Sequence, residues 1–156
     1  MRRPVRPSPT GRRPAAALRQ RRRGWADAVY TSDRSQAIET APIAFPAAGA
    51  PLPMVHDPRL RECNYGDLNG SPAATLSRLA HIQTPFPNGE SDRQAVARVA
   101  DCLAEIRRDW PGGRILVIGH AATRWAVARL MTGADLAELI AAPLDWRPGW
   151  SYPCNP

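Results

Sequence analysis

The stretch that most limits the fold is Ile115-Leu116-Val117-Ile118-Gly119, followed at once by His120 and a helical pattern from Ala121. Its apolar residues run without alternation and Pro111-Gly112-Gly113 precede them, which predicts a buried strand of a parallel sheet rather than a surface strand. From Ala121 the period becomes helical, with Trp125, Val127, Leu130 and Met131 available for one apolar face. A strand that ends in a polar residue and opens directly into a helix places that residue where open α/β sheets hold ligands. The new helix offers unpaired N–H groups and the positive end of its dipole to an anion. His120 therefore has an address suited to phosphate. Taken alone, a histidine in this position more often caps or packs.

A further strand–turn–helix signal precedes this one in the chain. Ala26 to Thr31 predicts a short strand ending in Ser32-Asp33, a helix-capping pair, before a helix through Ala37, Ile38 and Ala41 with a kink at Pro42. Met54-Val55 fits a short edge strand. Residues 57–70 are polar and punctuated by glycine, yet carry Leu60, Tyr65 and Leu68 as anchors, the pattern of a structured and functional loop. Residues 72–80 predict a short helix and 85–89 a turn. Glu90 to Asp109 is the clearest helix, with Ala95, Val96, Val99, Leu103, Ile106 and Trp110 on one face. Ala134 to Ala142 predicts another short helix, and Asp145 to Tyr152 a final strand or packed tail.

Alternating strands and helices imply an α/β, three-layer sandwich with a mainly parallel sheet. Length suits one domain: 156 residues, divided here into a flexible basic arm over 1–9 and a single domain over 10–156. The chain enters on that arm and an arginine-rich helix, where such folds commonly enter on a buried strand, so the pattern has its first strand missing. Charge is uneven. Residues 1–24 carry nine arginines and no acid, whereas the remainder carries twelve arginines against fourteen carboxylates. The basic arm suits nucleic-acid phosphates, but no aromatic residues interleave its arginines, so a solvated helix face is the preferred reading. No apolar run is long enough to span a membrane, and no apolar segment follows the basic N-terminus as in a signal peptide. Cys63, Cys102 and Cys154 are widely spaced, without metal-binding spacing, which suits reduced thiols in the cytoplasm.

Five blocks of the chain, in order, resemble those of the histidine phosphatases, the phosphoglycerate mutase-like superfamily. Thr31-Ser32-Asp33-Arg34-Ser35-Gln36-Ala37-Ile38-Glu39-Thr40-Ala41 is similar to the family's S-D-L-x-R-A-x-x-T-A block. Arg59-Leu60-Arg61-Glu62 through Gly66 and Gly70 resembles R-L-x-E-x-x-x-G-x-x-x-G. Asn88-Gly89-Glu90-Ser91 with Arg98 resembles G-E-S…R, and Val117-Ile118-Gly119-His120 the final histidine strand. Ser8-Pro9-Thr10-Gly11 with Ala15, Ala16 and Leu18 is similar to the entry of the first helix. The likeness covers about residues 8 to 152.

The resemblance implies a phosphoglycerate mutase-like fold and phosphoryl transfer through a phosphohistidine, on a small phosphorylated metabolite and with no cofactor or metal. A neutral imidazole attacks phosphorus, cationic and N–H donors hold the non-bridging oxygens, and a carboxylic acid protonates the leaving oxygen. His120 matches the phosphate-binding histidine and Glu62 the proton donor. The turn at Asp33, together with Gln36 and Ala121, would line the substrate pocket. Two departures accompany the likeness. The nucleophile's Arg-His-Gly motif occurs nowhere in the chain, whose other histidines are His56 and His81. Gln36 stands where the family has an arginine, exchanging a charged fork for neutral donors. The expectation is a phosphomonoesterase that is truncated before Met1 or impaired; the alternative is an inactive domain that binds a phosphate ligand or a partner. Set beside these readings, Glu62 would pair with Arg59 or Arg61, Arg98 and Arg124 would be surface helix arginines, Cys63 a packed thiol, and Trp146 and Trp150 core or pocket wall.

Overall fold

The computed structural model describes residues 26–44, 52–143, 147 and 149–153. The basic arm, the first helix, most of the 45–51 loop, and Trp146 lie outside them. Three parallel strands form the sheet: β1 (Ala28–Thr31), β2 (Met54–His56) and β3 (Ile115–Ile118), in the order β2-β1-β3. Tyr30 pairs with Val55 on one side and Val117 on the other. The helices are α1 (Ser35–Ala44), α2 (Asp92–Asp109), α3 (Ala121–Thr132) and α4 (Leu136–Ala141).

Alternation along the strands divides them between two faces. Ala28, Tyr30, Ile115 and Val117 pack with Leu60, Cys102, Ile106 and Trp110, so this face is covered by α2. The Trp110 indole also donates to the Tyr30 hydroxyl at 3.2 Å, satisfying a polar atom at the rim of the core. Val29 and Thr31 are fully buried among the intervening positions, and α1 packs against β1 and β3. The central strand β1 is buried throughout, whereas β3 is half-exposed at all four positions despite its apolar sequence, a departure from the expected buried strand. Among the described residues β3 has a partner on one edge alone.

Helix α2 starts where its sequence dictates. Ser91 accepts from the Gln94 amide at 3.2 Å, and the Gln94 side chain accepts from the Ser91 amide at 2.8 Å, a reciprocal capping box. Helix α3 ends on Gly133, in the left-handed region at φ 73°. Its buried positions are Ala122, Thr123, Ala126 and Ala128, while Leu130 is exposed. Of the large apolar residues expected on its inner face, Leu130 is exposed and Trp125 packs against Cys63, Leu76, Phe86 and Ala122, while small residues let α3 lie close along α2. The helix expected over 72–80 is instead two short 3-10 turns, Ala73–Thr75 and Arg78–His81, broken by Ser77 at φ 44°. Among the described residues after 143 no strand forms, and Trp150 lies under the Arg124 guanidinium, 4.5 Å from its ring centre.

A second apolar cluster sits above the carboxyl ends of the strands. Cys63, Leu76, Phe86 and Ala122 are buried there, with Tyr65, Leu68 and Trp125 against them. Phe86 is 1% exposed, and burying a side chain of that size contributes about 1.5–3 kcal/mol. Gly66 allows the 57–70 loop to meet the 85–89 turn: at φ +55°, a Cβ there would stand 1.8 Å from the Pro87 carbonyl oxygen. This cluster holds the loop that carries Glu62 over the end of the sheet.

Candidate active site

The ends of β1 and β3 lie side by side, so Ser32 and His120 follow neighbouring parallel strands. The Ser32 amide donates to the Ile118 carbonyl at 3.0 Å, extending the ladder one step beyond the strands. The Ser32 hydroxyl then meets His120 Nε2 at 2.8 Å. His120 is held from its backbone as well, its N–H donating to Thr123 Oγ1 at 3.2 Å, while that hydroxyl donates to the Leu60 carbonyl at 2.8 Å. This close approach needs Gly119, where a Cβ would lie 2.5 Å from Thr123 Oγ1. Burial pushes the His120 imidazole below its ordinary value, with Arg34 and Arg98 acting in the same direction and Glu62 and Asp33 opposing. Burial thereby favours the neutral ring.

Glu62 reaches the start of α3. Its carboxylate accepts from the Ala121 amide at 3.2 Å, the Ala122 amide at 3.1 Å and the amide of Cys63 at 2.9 Å. These are the N–H groups a helix N-terminus leaves unpaired, and the dipole there favours a negative charge. The expected partners of Glu62 are engaged elsewhere: Arg59 binds Asp57 and Glu105, and Arg61 binds Asp33 through two nitrogens. The cation that faces Glu62 is Arg78, 4.0 Å away.

Arg98 is neither a surface arginine nor aimed at the pocket. It grips both oxygens of Glu90 and donates to the carbonyls of Arg59, Arg61 and Glu62 at 2.5, 3.0 and 3.1 Å. That fork fixes the backbone from which Glu62 projects. Sequence reasoning missed this role, as it missed those of Ser32, Arg61 and Arg78. The Asp33 and Ser32 side chains engage Arg61 and His120, and the Arg34 carbonyl receives helical amides from Ala37 and Ile38. The Arg61 hydrogen bonds hold the Asp33 carboxyl below its ordinary value despite some burial. Cys63, pushed up to about 12 by burial, is an inert packed thiol.

His120, Glu62 and Ala121 are thus brought together at the mouth of the sheet, with Asp33 close enough to bear on the imidazole charge. Gln36 is the second residue of α1 and is exposed. The remaining histidines are elsewhere: His56 ends the edge strand β2, and His81 stacks on Phe86 with ring centres 3.9 Å apart. Among the described residues no cluster of three or more His, Cys, Asp or Glu is arranged to hold a metal ion, and no helix is long and apolar enough to cross a membrane.

The family model of the histidine phosphatase superfamily (branch 1) matches residues 5–146. The chain belongs to the histidine phosphatase superfamily. It is 26% identical over 109 residues to the uncharacterized phosphatase PhoE of Bacillus subtilis, covering 70% of this chain and 55% of PhoE. It is 32% identical over 123 residues to a 2,3-bisphosphoglycerate-dependent phosphoglycerate mutase of a Methylobacterium species, covering 69% and 58%. The chain therefore spans little more than half the length of these curated relatives. Its fold matches that of YhfR from Bacillus stearothermophilus with a TM-score of 0.73 at 23% identity, over 90% of this chain and 77% of YhfR. It also matches a mycobacterial glucosyl-3-phosphoglycerate phosphatase with a TM-score of 0.67 at 22% identity, covering 90% and 76%. The expected α/β, phosphoglycerate mutase-like architecture is therefore the observed one.

Proposed function

We propose that this histidine phosphatase acts in phosphomonoester hydrolysis through a phosphohistidine, with His120 holding the transferred phosphoryl group and Glu62 giving its proton to the leaving oxygen. The observation that carries this reading is the placing of a half-buried imidazole, biased toward its neutral form, near a carboxylate and the N-terminus of α3, at the carboxyl ends of β1 and β3. His120, the Ala121 amide and the turn at Asp33 would take the non-bridging oxygens, where negative charge accumulates. Gln36, in the family's arginine position, would add only neutral donors.

The attacking imidazole would come from a further parallel strand bearing Arg-His-Gly and pairing along the edge of β3 that has no partner among the described residues. In support, Ile115 to Ile118 are half-exposed although wholly apolar, and neither His56 nor His81 stands at the site. In the reaction the imidazole nitrogen bonds to phosphorus as the ester P–O bond breaks, and the leaving oxygen takes the Glu62 proton. Water then attacks phosphorus, giving its proton to the Glu62 carboxylate, and the N–P bond breaks to free phosphate and the imidazole. The substrate class we favour is a small phosphorylated metabolite, in the cytoplasm, where the buried thiols Cys63 and Cys102 would stay reduced.

A second reading, binding of a phosphate ligand or partner without turnover, is favoured by one observation: neither of the other histidines, His56 and His81, stands beside His120. Aryl phosphate turnover separates the two. The chain joined to an Arg-His-Gly strand should turn over substrate, and His120→Ala and Glu62→Gln should each lower the rate by about 10²-fold or more. Turnover indifferent to His120→Ala would overturn the catalytic reading; phosphate binding without any turnover would establish the second.

A further inference from the structure

Behind Glu62 lies a charged cluster to which the family chemistry assigns nothing. Arg78, on the 3-10 turn after Ser77, has a side chain only 15% exposed, and its ion-pair partner Asp92 is 3% exposed. Arg78 Nη2 lies 2.9 Å from Asp92 Oδ1 and 4.0 Å from Glu62 Oε1, and Nη1 donates to the Tyr65 hydroxyl. The guanidinium carbon stands 4.2 Å from the centre of the Trp125 ring and 4.9 Å from that of Tyr65. One cation therefore faces two carboxylates within a largely dry setting.

This arrangement is costly. Arg78 Nε and Asp92 Oδ2 are buried without hydrogen-bond partners, and unsatisfied charged groups of this kind are rare in stable interiors. Burial pushes the Asp92 carboxyl above its ordinary value, against the pull of Arg78. A well-packed apolar pair would fill the same space at no electrostatic cost. What such a pair would lack is a fixed positive charge aimed at Glu62. The flat guanidinium, held by Trp125, Tyr65 and Asp92, has little freedom to leave that position.

We infer that Arg78 is a positioning residue, fixed by Asp92 and the two rings, which holds the Glu62 carboxylate on the first amides of α3. The inference rests on the reading of Glu62 as the proton donor. Its chemical consequence is that the anion left on Glu62 after proton transfer is met by a charge already in place, so no side chain has to reorganise during the step.

The test is hydrogen exchange at the Cys63, Ala121 and Ala122 amides, the three N–H groups bonded to Glu62. The main variant is Arg78→Met/Asp92→Asn, which removes the buried pair without stranding a charge; Arg78→Lys/Trp125 intact keeps the charge. We expect the double variant to speed exchange at all three amides by roughly tenfold, with Val99 and Cys102 in the core of α2 unchanged, and Arg78→Lys to retain part of the protection. Glu62→Gln sets the upper limit. Three amides that exchange as in the unaltered chain, or that speed up only in step with Val99 and Cys102, would overturn the inference. The donor reading fails by a different result: in the strand-joined protein, a Glu62→Gln loss of the same size for aryl phosphates with good and poor leaving groups. That outcome leaves the exchange result standing.

Discussion

The Glu62 carboxylate accepts the Ala122 amide at 3.1 Å and the Ala121 amide at 3.2 Å, so an acidic side chain occupies the helix end that would otherwise receive a phosphoryl oxygen. Two negative groups cannot share that seat at low cost. Glu62 must move aside, or arrive protonated, when a phosphate binds. Glu62→Gln should therefore tighten binding of inorganic phosphate by about 3–10-fold, since anion–dipole effects of this kind are of order 1 kcal/mol, even as it lowers turnover. Calorimetric titration checks this; weaker binding by the variant would show that Glu62 does not compete for the seat.

Gln36→Arg should raise phosphate affinity. The position is exposed on the first turn of α1, near the ends of β1 and β3, and a guanidinium there would supply charged, paired donors in place of neutral ones. About a tenfold gain is expected for one charge-assisted pair. The same titration reads it, and an unchanged affinity would mean that residue 36 does not reach the ligand.

How far the sequence foretold this site depends on the residue. His120 was legible because an apolar β-branched run, a glycine and a change of period mark a strand end opening a helix. Helix α2 was legible from Ala95, Val99 and Ile106 on one face, whereas the Ser91 and Gln94 capping box that sets its start at Asp92 was not read. The inner face of α3 was not: Trp125 and Leu130 carry the stronger apolar signal, but close packing on α2 selects Ala122, Ala126 and Ala128. Arg98 was illegible in principle, because its partners include three backbone carbonyls some forty positions earlier, and carbonyls leave no trace in residue type. Ser32 carried a usable signal, a hydroxyl ending one strand beside a histidine ending its parallel neighbour, but the register that joins them appears only in the folded sheet.

Arg98→Ala should destabilise the fold by about 2–4 kcal/mol, because it strands Glu90 and leaves three loop carbonyls short of donors. Arg108→Ala, at a fully exposed ion pair, should change stability by no measurable amount. Urea denaturation of the two variants side by side is the check; equal effects would show that Arg98 does not anchor the 59–62 segment.

The depressed His120 imidazole makes stability depend on pH. Its folded value lies below the ordinary 6.5, so the unfolded chain takes up the proton first. Stability from this group is fully present above about pH 6.5 and is lost as pH falls through the folded value, because the unfolded state then binds more protons. His120→Gln should remove that part of the slope. Thermal melts from pH 7.5 to 5 check it, and identical pH profiles for the two proteins would mean that the imidazole is not held neutral by burial.

The most direct test of the proposed phosphoryl-binding role of His120 is titration of the chain with inorganic phosphate while its imidazole resonances are followed by NMR. The account predicts saturable binding that shifts His120 and leaves His56 and His81 in place, and that weakens by about tenfold or more in His120→Ala, the scale of one lost hydrogen bond to a charged group. Binding of equal strength in His120→Ala, or shifts shared evenly by the three histidines, would contradict it.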